Sequence, residues 1–215
     1  MTLLSRSLLA GLVLTACATE LGAPSASLTP EAPTTADDLV LDVDGAGSAV
    51  SVWWYVDDVE APTLHDRLTV PATRTQKGQT WRAVVSPRAY LNGRGEVGDL
   101  TEVSVVIGNT APEALAVAIT PAEPGTDEDL VAAAQGADLD GDALTWRYQW
   151  LRDGAEVAGA TDATLPASET EHGQVWTVRA WASDGESESE PVEASVSIAN
   201  AAPLGEAVTL APDPA

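Results

Sequence analysis

The sequence predicts an all-β protein in which two β-sandwich domains follow one another along the chain. Three observations predict this fold class. A unit of about 90 residues occurs twice, which is the signature of a tandem repeat. Within the unit, apolar and polar side chains alternate at a period of two residues. After the first 16 residues, no window combines a helical period with helix caps.

The repeat appears as matching segments that keep the same offset of 91 residues. Residues 28–33 match residues 119–124, and residues 104–112 match residues 195–203. We therefore place the first repeat at residues 27–109 and the second at residues 110–200. Residues 208–212 echo the start of the unit, so residues 201–215 are interpreted as a linker and the beginning of a truncated third repeat.

The strands are predicted most clearly in the second repeat. Leu144, Trp146, Tyr148 and Trp150 fall on one face at a period of two. Residues 176–182 and 192–198 alternate in the same way. Turn signals separate these runs, namely Asp140-Gly141-Asp142, Asp153-Gly154, His172-Gly173 and Asp184-Gly185.

A unit of this length, with some seven short strands, has the size of an immunoglobulin-like sandwich. Trp54 and Trp150 are the expected core tryptophans on a central strand. The chain has one cysteine, so the disulfide that joins the sheets of antibody domains is not expected. Burial of a large aromatic side chain supplies a comparable stabilising term.

The first 16 residues have the pattern of a secretory signal: Arg6, an apolar run over residues 8–14, and small residues before a cleavage point. Leu14-Thr15-Ala16-Cys17 resembles the lipobox of bacterial lipoproteins. The resemblance implies that Cys17 carries diacylglycerol and becomes the mature N-terminus, with residues 17–26 as a flexible tether. The alternative is an ordinary secretory signal in which Cys17 is incidental.

Charge excludes some classes of function. The chain has 33 Asp or Glu and 10 Lys or Arg among 215 residues, a formal net charge of -23. Binding to nucleic acid needs a basic surface, and electrostatic docking to an anionic membrane does too. We therefore expect neither a nucleic-acid partner nor a membrane contact other than the lipid.

Both repeats also resemble the Ig-like, PKD-like and cadherin-like repeats of bacterial surface proteins, which are common in myxobacteria. The segments that carry the resemblance are Asn-x-Ala-Pro at the repeat ends, residues 138–146, residues 164–167, and Trp176-Thr177-Val178 leading to Ser183-Asp184-Gly185. The first repeat departs from the pattern, with a shorter turn at residues 42–45 and a longer predicted loop over residues 87–99.

Asp138, Asp140 and Asp142 are the candidate metal ligands. Three carboxylates at alternate positions of a tight turn suit a hard cation such as Ca²⁺, and similar motifs in cadherin-like relatives bind Ca²⁺. The alternative is a solvated turn in which Asp side chains cap backbone N–H groups.

Other candidate binding residues are Trp181, predicted to face away from the core, and Arg88, Tyr90 and Arg94 in the predicted loop. No catalytic residues are predicted, because the sequence contains none of the common nucleophile, zinc-hydrolase or phosphate-loop motifs.

These observations predict a lipid-anchored protein of the bacterial envelope, at the outer membrane or cell surface, with a structural or adhesive role. Its partners are expected to be proteins or glycans. Two alternatives stay open: an adhesion module stiffened by calcium, and a carbohydrate-binding module that uses outward Trp residues.

Overall fold

A computed structural model describes the backbone of residues 23–44, 50–91, 94–97 and 99–201, and the side chains of these residues except 88–91 and 94–97. The described part consists of strands and three short 3-10 helices, so the predicted all-β fold class is confirmed. None of its helices is long and apolar enough to cross a membrane.

The first repeat contributes eight strands: β1 (Ser25–Thr29), β2 (Leu39–Asp44), β3 (Val50–Val56), β4 (Val59–Glu60), β5 (Thr69–Val70), β6 (Thr80–Leu91), β7 (Arg94–Val97) and β8 (Thr101–Val106). The second contributes seven: β9 (Glu113–Thr120), β10 (Leu130–Ala137), β11 (Thr145–Arg152), β12 (Ala155–Glu156), β13 (Thr164–Leu165), β14 (Val175–Ser183) and β15 (Val192–Ser197). The 3-10 helices span Pro62–Leu64, Ala72–Arg74 and Ala167–Glu169.

The strand order is that of a two-sheet sandwich, and it occurs twice. In the second repeat, a three-stranded sheet has the order β13-β10-β9 and a four-stranded sheet the order β12-β11-β14-β15. The first repeat has a three-stranded sheet β1-β2-β5 and a second sheet β4-β3-β6-β7, in which β8 also pairs with β6. The predicted strands around Trp150, Trp176 and Val192 correspond to β11, β14 and β15.

The chain divides into two compact units whose limits differ from those of the repeats. The first unit contains the chain up to Thr29, Val40–Val70 and Thr80–Val105. The second contains the chain from Val106 onward and two loops of the first repeat, Pro30–Leu39 and Pro71–Gln79.

Tryptophans fill the cores, as the sequence predicts. In the second unit, Trp150 and Trp176 are fully buried. The Trp150 indole Nε1 donates to the Asp162 carbonyl oxygen at 2.9 Å, so its polar atom is satisfied inside the core. In the first unit, Trp54 is fully buried and meets Trp81 edge to face, with 6.3 Å between ring centroids.

One segment differs from its expectation. Residues 87–99 were expected to form a loop, but β6 continues to Leu91 and pairs with β7, so that Leu91 lies opposite Arg94. The sequence feature that predicts this hairpin is Asn92-Gly93, because Asn-Gly between extended segments is the strongest short hairpin signal. The apolar alternation of Ala83 and Val85 also continues through Pro87 and Ala89.

Candidate functional site

The acidic turn, residues 138–142, lies between β10 and β11 and is organised by its first carboxylate. Asp138 Oδ1 accepts the backbone N–H groups of Asp140 at 2.9 Å and Asp142 at 3.0 Å. Gly141 has a φ of +80°, a conformation that glycine adopts without a steric penalty. These bonds fix the backbone of the turn and leave the carboxylates of Asp140 and Asp142 free for other partners.

Two loops of the second unit supply donors to Asp140. The Thr35 hydroxyl donates to Asp140 Oδ1 at 2.5 Å, and the backbone N–H of Thr110 donates to Oδ2 at 2.8 Å. Thr35 is only 7% exposed, so its hydroxyl bonds to Asp140 and to the Thr110 hydroxyl, at 2.6 Å, rather than to water. Both oxygens of Asp140 are therefore hydrogen-bonded within the protein.

The third carboxylate of the turn, that of Asp142, forms an ion pair with Lys77. Lys77 Nζ lies 2.7 Å from Asp142 Oδ2 and 2.6 Å from Glu186 Oε1. The hydrogen bond to Asp142, followed by that to Glu186, raises the pKa of Lys77 above its ordinary value. The ammonium group thus places a positive charge between two carboxylates, where a bound cation would also be attracted.

A second turn, residues 183–187, is held by Asp184. Its Oδ1 accepts the backbone N–H groups of Glu186 at 2.7 Å and Ser187 at 2.6 Å. Its Oδ2 accepts the side-chain amide of Asn109 at 2.7 Å. The Asn109 hydrogen bond, assisted by the Ser187 N–H, lowers the pKa of Asp184 to about 2. We call Thr35, Lys77, Asn109 and Thr110 the clamp residues, because they bind these two turns.

The pKa of Asp184 predicts a loss of stability in acid. Because the folded-state pKa of about 2 lies below the ordinary 3.8, the charged carboxylate stabilises the fold above pH 3.8. That contribution is lost as the pH falls from 3.8 through about 2. Asp184→Asn should therefore lose less stability than the wild type over this interval, as measured by urea midpoints at each pH.

Asp127→Asn is the matched control for that experiment, because it removes one negative charge from an exposed position. If the urea midpoints of Asp184→Asn fell in parallel with those of the wild type from pH 3.8 to about 2, the lowered pKa of Asp184 would be contradicted.

The acidic turn also has features of a cation site. Asp138, Asp140 and Asp142 each offer one carboxylate oxygen, and these atoms lie within 4.8 Å of one another. Among the described residues, Asp138 Oδ2 and Asn109 Oδ1 are buried acceptors without a hydrogen-bond donor. Carboxylate and amide oxygens are the ligands that Ca²⁺ takes. The alternative prediction, a solvated turn with Asp side chains on backbone N–H groups, includes the capping by Asp138 but not the protein donors on Asp140 and Asp142.

Trp181 lies on the outer face of its sheet and is half-buried. The guanidinium carbon of Arg147 lies 3.9 Å from the ring centroid of Trp181. Arg147 is itself held by Glu188, whose two carboxylate oxygens lie 3.2 and 3.1 Å from Nε and Nη2. Since Arg147 covers one face of the indole, this contact disfavours the stacking of a sugar on that face.

The remaining candidate side chains lie outside the parts that the structure describes. The side chains of Arg88, Tyr90 and Arg94 are not among the described ones, although their backbone belongs to the β6–β7 hairpin. Cys17 precedes the described residues, which begin at 23.

Sequence reasoning identified the acidic turn but missed the clamp residues. Thr35 and Lys77 are separated from residues 138–142 by more than 60 positions, and no local pattern links them. Asn109 was visible only as part of the Asn-x-Ala-Pro motif that recurs at Asn200.

No protein-family model and no curated protein matches the chain. Solved structures of multidomain β-sandwich proteins do align with it. A two-domain fibronectin type III segment of chicken tenascin is 12% identical, with a TM-score of 0.38, and the alignment covers 81% of this chain and 98% of that chain. Fibronectin(III)-like modules of Clostridium thermocellum CbhA are 17% identical over 82% and 95% of the chains, with a TM-score of 0.29.

The full ectodomain of mouse nectin-like molecule 4, with its domains Ig1 to Ig3, aligns at 13% identity and a TM-score of 0.33. That alignment covers 87% of this chain and 67% of the other. The assignment of tandem sandwiches rests on the strand order of the chain itself, which contains a three-stranded and a larger sheet in each repeat.

Proposed function

We propose that the protein is a lipid-anchored surface protein of the bacterial envelope whose tandem sandwiches serve a structural or adhesive role. The observation that carries the proposal is the position of the single cysteine, Cys17, directly after an apolar run and Leu14-Thr15-Ala16. Tandem sandwiches without a recognised catalytic motif are consistent with a passive role, although such folds carry many functions.

The proposed mechanism has three parts. Acyl chains on Cys17 hold the N-terminus in the membrane, at about 0.8 kcal/mol for each buried CH₂ group. The sandwiches provide a stable framework, and their loops and edge strands contact proteins or glycans. Removal of residues 1–16 takes away Arg6, which leaves nine basic and 33 acidic side chains. This charge keeps the surface soluble and suppresses non-specific association.

Cys17→Ser tests the anchor. The wild-type chain should incorporate labelled palmitate in a bacterial host and fractionate with membranes. The Cys17→Ser chain should incorporate no label and leave the membrane fraction, because a serine cannot form the thioether.

Ser25→Ala is the control, since it alters one residue in β1 outside the proposed lipobox. Equal labelling and equal membrane recovery of the Cys17→Ser and wild-type chains would exclude lipidation at this residue.

A module stabilised by calcium is the second candidate, favoured by the convergence of three carboxylates and the unpaired acceptor Asp138 Oδ2. At a calcium concentration tenfold above its dissociation constant, the free energy of unfolding should rise by about 1.4 kcal/mol. Asp138→Asn should abolish this rise, as measured by urea unfolding with calcium and with a chelator.

Lys77 sharpens the calcium test. Because its ammonium group already binds Asp142, calcium and Lys77 compete for the same carboxylate. Lys77→Met should therefore increase the calcium-dependent stabilisation. Asp162→Asn, an exposed carboxylate outside the turn, is the control. Identical unfolding curves with calcium and with chelator, in both the wild type and Lys77→Met, would exclude this candidate.

A further inference from the structure

The loops that carry the clamp residues recur in the second repeat with the same backbone hydrogen bonds. Gly78 N–H donates to the Ile107 carbonyl at 2.8 Å, and Gly173 N–H donates to Ile198 at 2.9 Å. Gly108 N–H donates to the Pro33 carbonyl at 2.7 Å, and its counterpart Ala199 N–H donates to the Pro124 carbonyl at 2.8 Å. Two bonds to side chains recur as well: Ala72 N–H to Asp38 Oδ1 matches Ala167 N–H to Asp129 Oδ1, both at 2.7 Å. Likewise, Gln76 N–H to Gln79 Oε1 matches Glu171 N–H to Gln174 Oε1, both at 2.9 Å.

Because these loops and their hydrogen bonds occur in both repeats, each clamp residue has a structural counterpart in the second repeat. The pairs are Thr35 and Thr126, Lys77 and His172, Asn109 and Asn200, and Thr110 and Ala201. Three kinds of donor are retained: a threonine hydroxyl, an asparagine amide, and the backbone N–H after that asparagine. The fourth changes from an ammonium group to an imidazole.

The clamp residues differ from their counterparts in the second repeat in how far they are exposed to solvent. Thr35 is 7% exposed, whereas Thr126 is only partly buried. Asn109 is partly buried and bonds to Asp184, whereas Asn200 is exposed and its amide, within the described part of the chain, donates to the neighbouring Ala201 carbonyl at 3.3 Å. His172 is exposed as well. The second set therefore offers donors that the described residues do not use for binding a turn.

We propose that Thr126, His172, Asn200 and Ala201 form a docking surface for a further repeat of the same type. The feature that it binds is a pair of turns equivalent to residues 138–142 and 183–187. The Thr126 hydroxyl and the Ala201 N–H bind the middle aspartate of the first turn. Asn200 donates to the aspartate of the second turn, and His172 takes the position of Lys77.

A second copy of this chain is not the occupant. Its first repeat has the shorter Asp42-Val43-Asp44-Gly45 segment and no Ser-Asp-Gly turn. Its second repeat has both turns, but their carboxylates already accept hydrogen bonds from Thr35, Asn109 and Thr110. The partner must therefore bring its own unoccupied pair of turns.

Charge sets the strength of this contact. Asp127 and Glu171 stand where the first repeat has Ala36 and Gln76, so the second surface is more acidic. Repulsion of an acidic turn by these exposed carboxylates is screened by salt. A pair of turns should therefore bind more weakly to this second surface than to the clamp residues. Its binding should strengthen as the salt concentration rises.

An extended chain tests the proposal: residues 1–203 of the protein followed by a second copy of residues 113–200. The NMR signals of Thr126, Asn200 and His172 should shift relative to those of the native chain. Asp140→Ala in the added copy should return them to their native positions. Asp162→Ala in the added copy is the control and should leave the shifts in place. Unshifted signals in the extended chain would overturn the proposal.

A disulfide provides a second measurement. In a Cys17→Ser background, Thr35→Cys with Asp140→Cys is the positive control, because these two side chains are in direct contact in the native chain. Thr126→Cys with Asp140→Cys in the added copy should also cross-link under the same oxidation. Cross-linking of the control pair alone would reject the docking surface. Neither measurement depends on lipidation, so either can fail while the proposed function stands.

Discussion

Trp150→Ala is expected to destabilise the second unit by about 3–5 kcal/mol, the range for removing a large aromatic side chain from a core. Trp150 is fully buried and packs within a cluster that includes Leu130, Trp176, Val178 and Ile198. The substitution leaves a cavity among these side chains. It also removes the indole donor of the Asp162 carbonyl, which adds to the cost if that oxygen stays dry.

Circular dichroism during urea unfolding measures the effect. Trp181→Ala is the matched control, since it removes the same side chain from the outer face of the neighbouring strand β14, where Arg147 covers it. We expect the control to cost about 1 kcal/mol, the scale of an exposed cation–π contact with some lost burial. Equal losses for the two variants would show that Trp150 is not the centre of this core.

Gly136→Ala should cost about 1–3 kcal/mol, the usual range for forcing extra atoms into a packed site. The strand pairing of β9 and β10 shifts between Gln135 and Gly136, which marks a β-bulge. A Cβ atom at Gly136 would lie 2.5 Å from the Glu113 carbonyl oxygen and 3.0 Å from Trp146 Cη2. The first neighbour is backbone, so relief requires movement of β9.

The measurement is again the urea midpoint, with Gly108→Ala as the control. An added Cβ at Gly108 meets only the Pro33 carbonyl oxygen at 3.4 Å, an ordinary contact distance. Its midpoint should stay close to that of the wild type. A Gly136→Ala protein as stable as Gly108→Ala would mean that the bulge adapts without strain.

The period-two patterns were sufficient to predict three strands of the second repeat, β11, β14 and β15. Trp150 and Trp176 lie on the inner faces of β11 and β14, where the alternation places them. Side-chain direction in a strand follows from position alone, because successive residues point to opposite faces. The hairpin over residues 88–97 was predictable for the same reason, from Asn92-Gly93 and the continuing alternation.

The candidate site was predicted only in part. The acidic turn is local, and its capping by Asp138 involves residues within four positions. The cover of Trp181 by Arg147 needed the register of β11 against β14, where Arg147 lies opposite Trp181. The sequence could not show whether water or protein groups donate to Asp140, because the donor Thr35 is 105 positions away.

The sequence by itself determined the repeated β unit, the core tryptophans and the acidic turn, because each depends on periodicity or on residues a few positions apart. Only the tertiary structure decided which donors bind the carboxylates of that turn. Lys77 and Thr35 reach Asp142 and Asp140 through loop positions that the folded chain brings together. Such contacts have no periodic signature, since a single ion pair or hydrogen bond requires one residue on each side and no pattern between them.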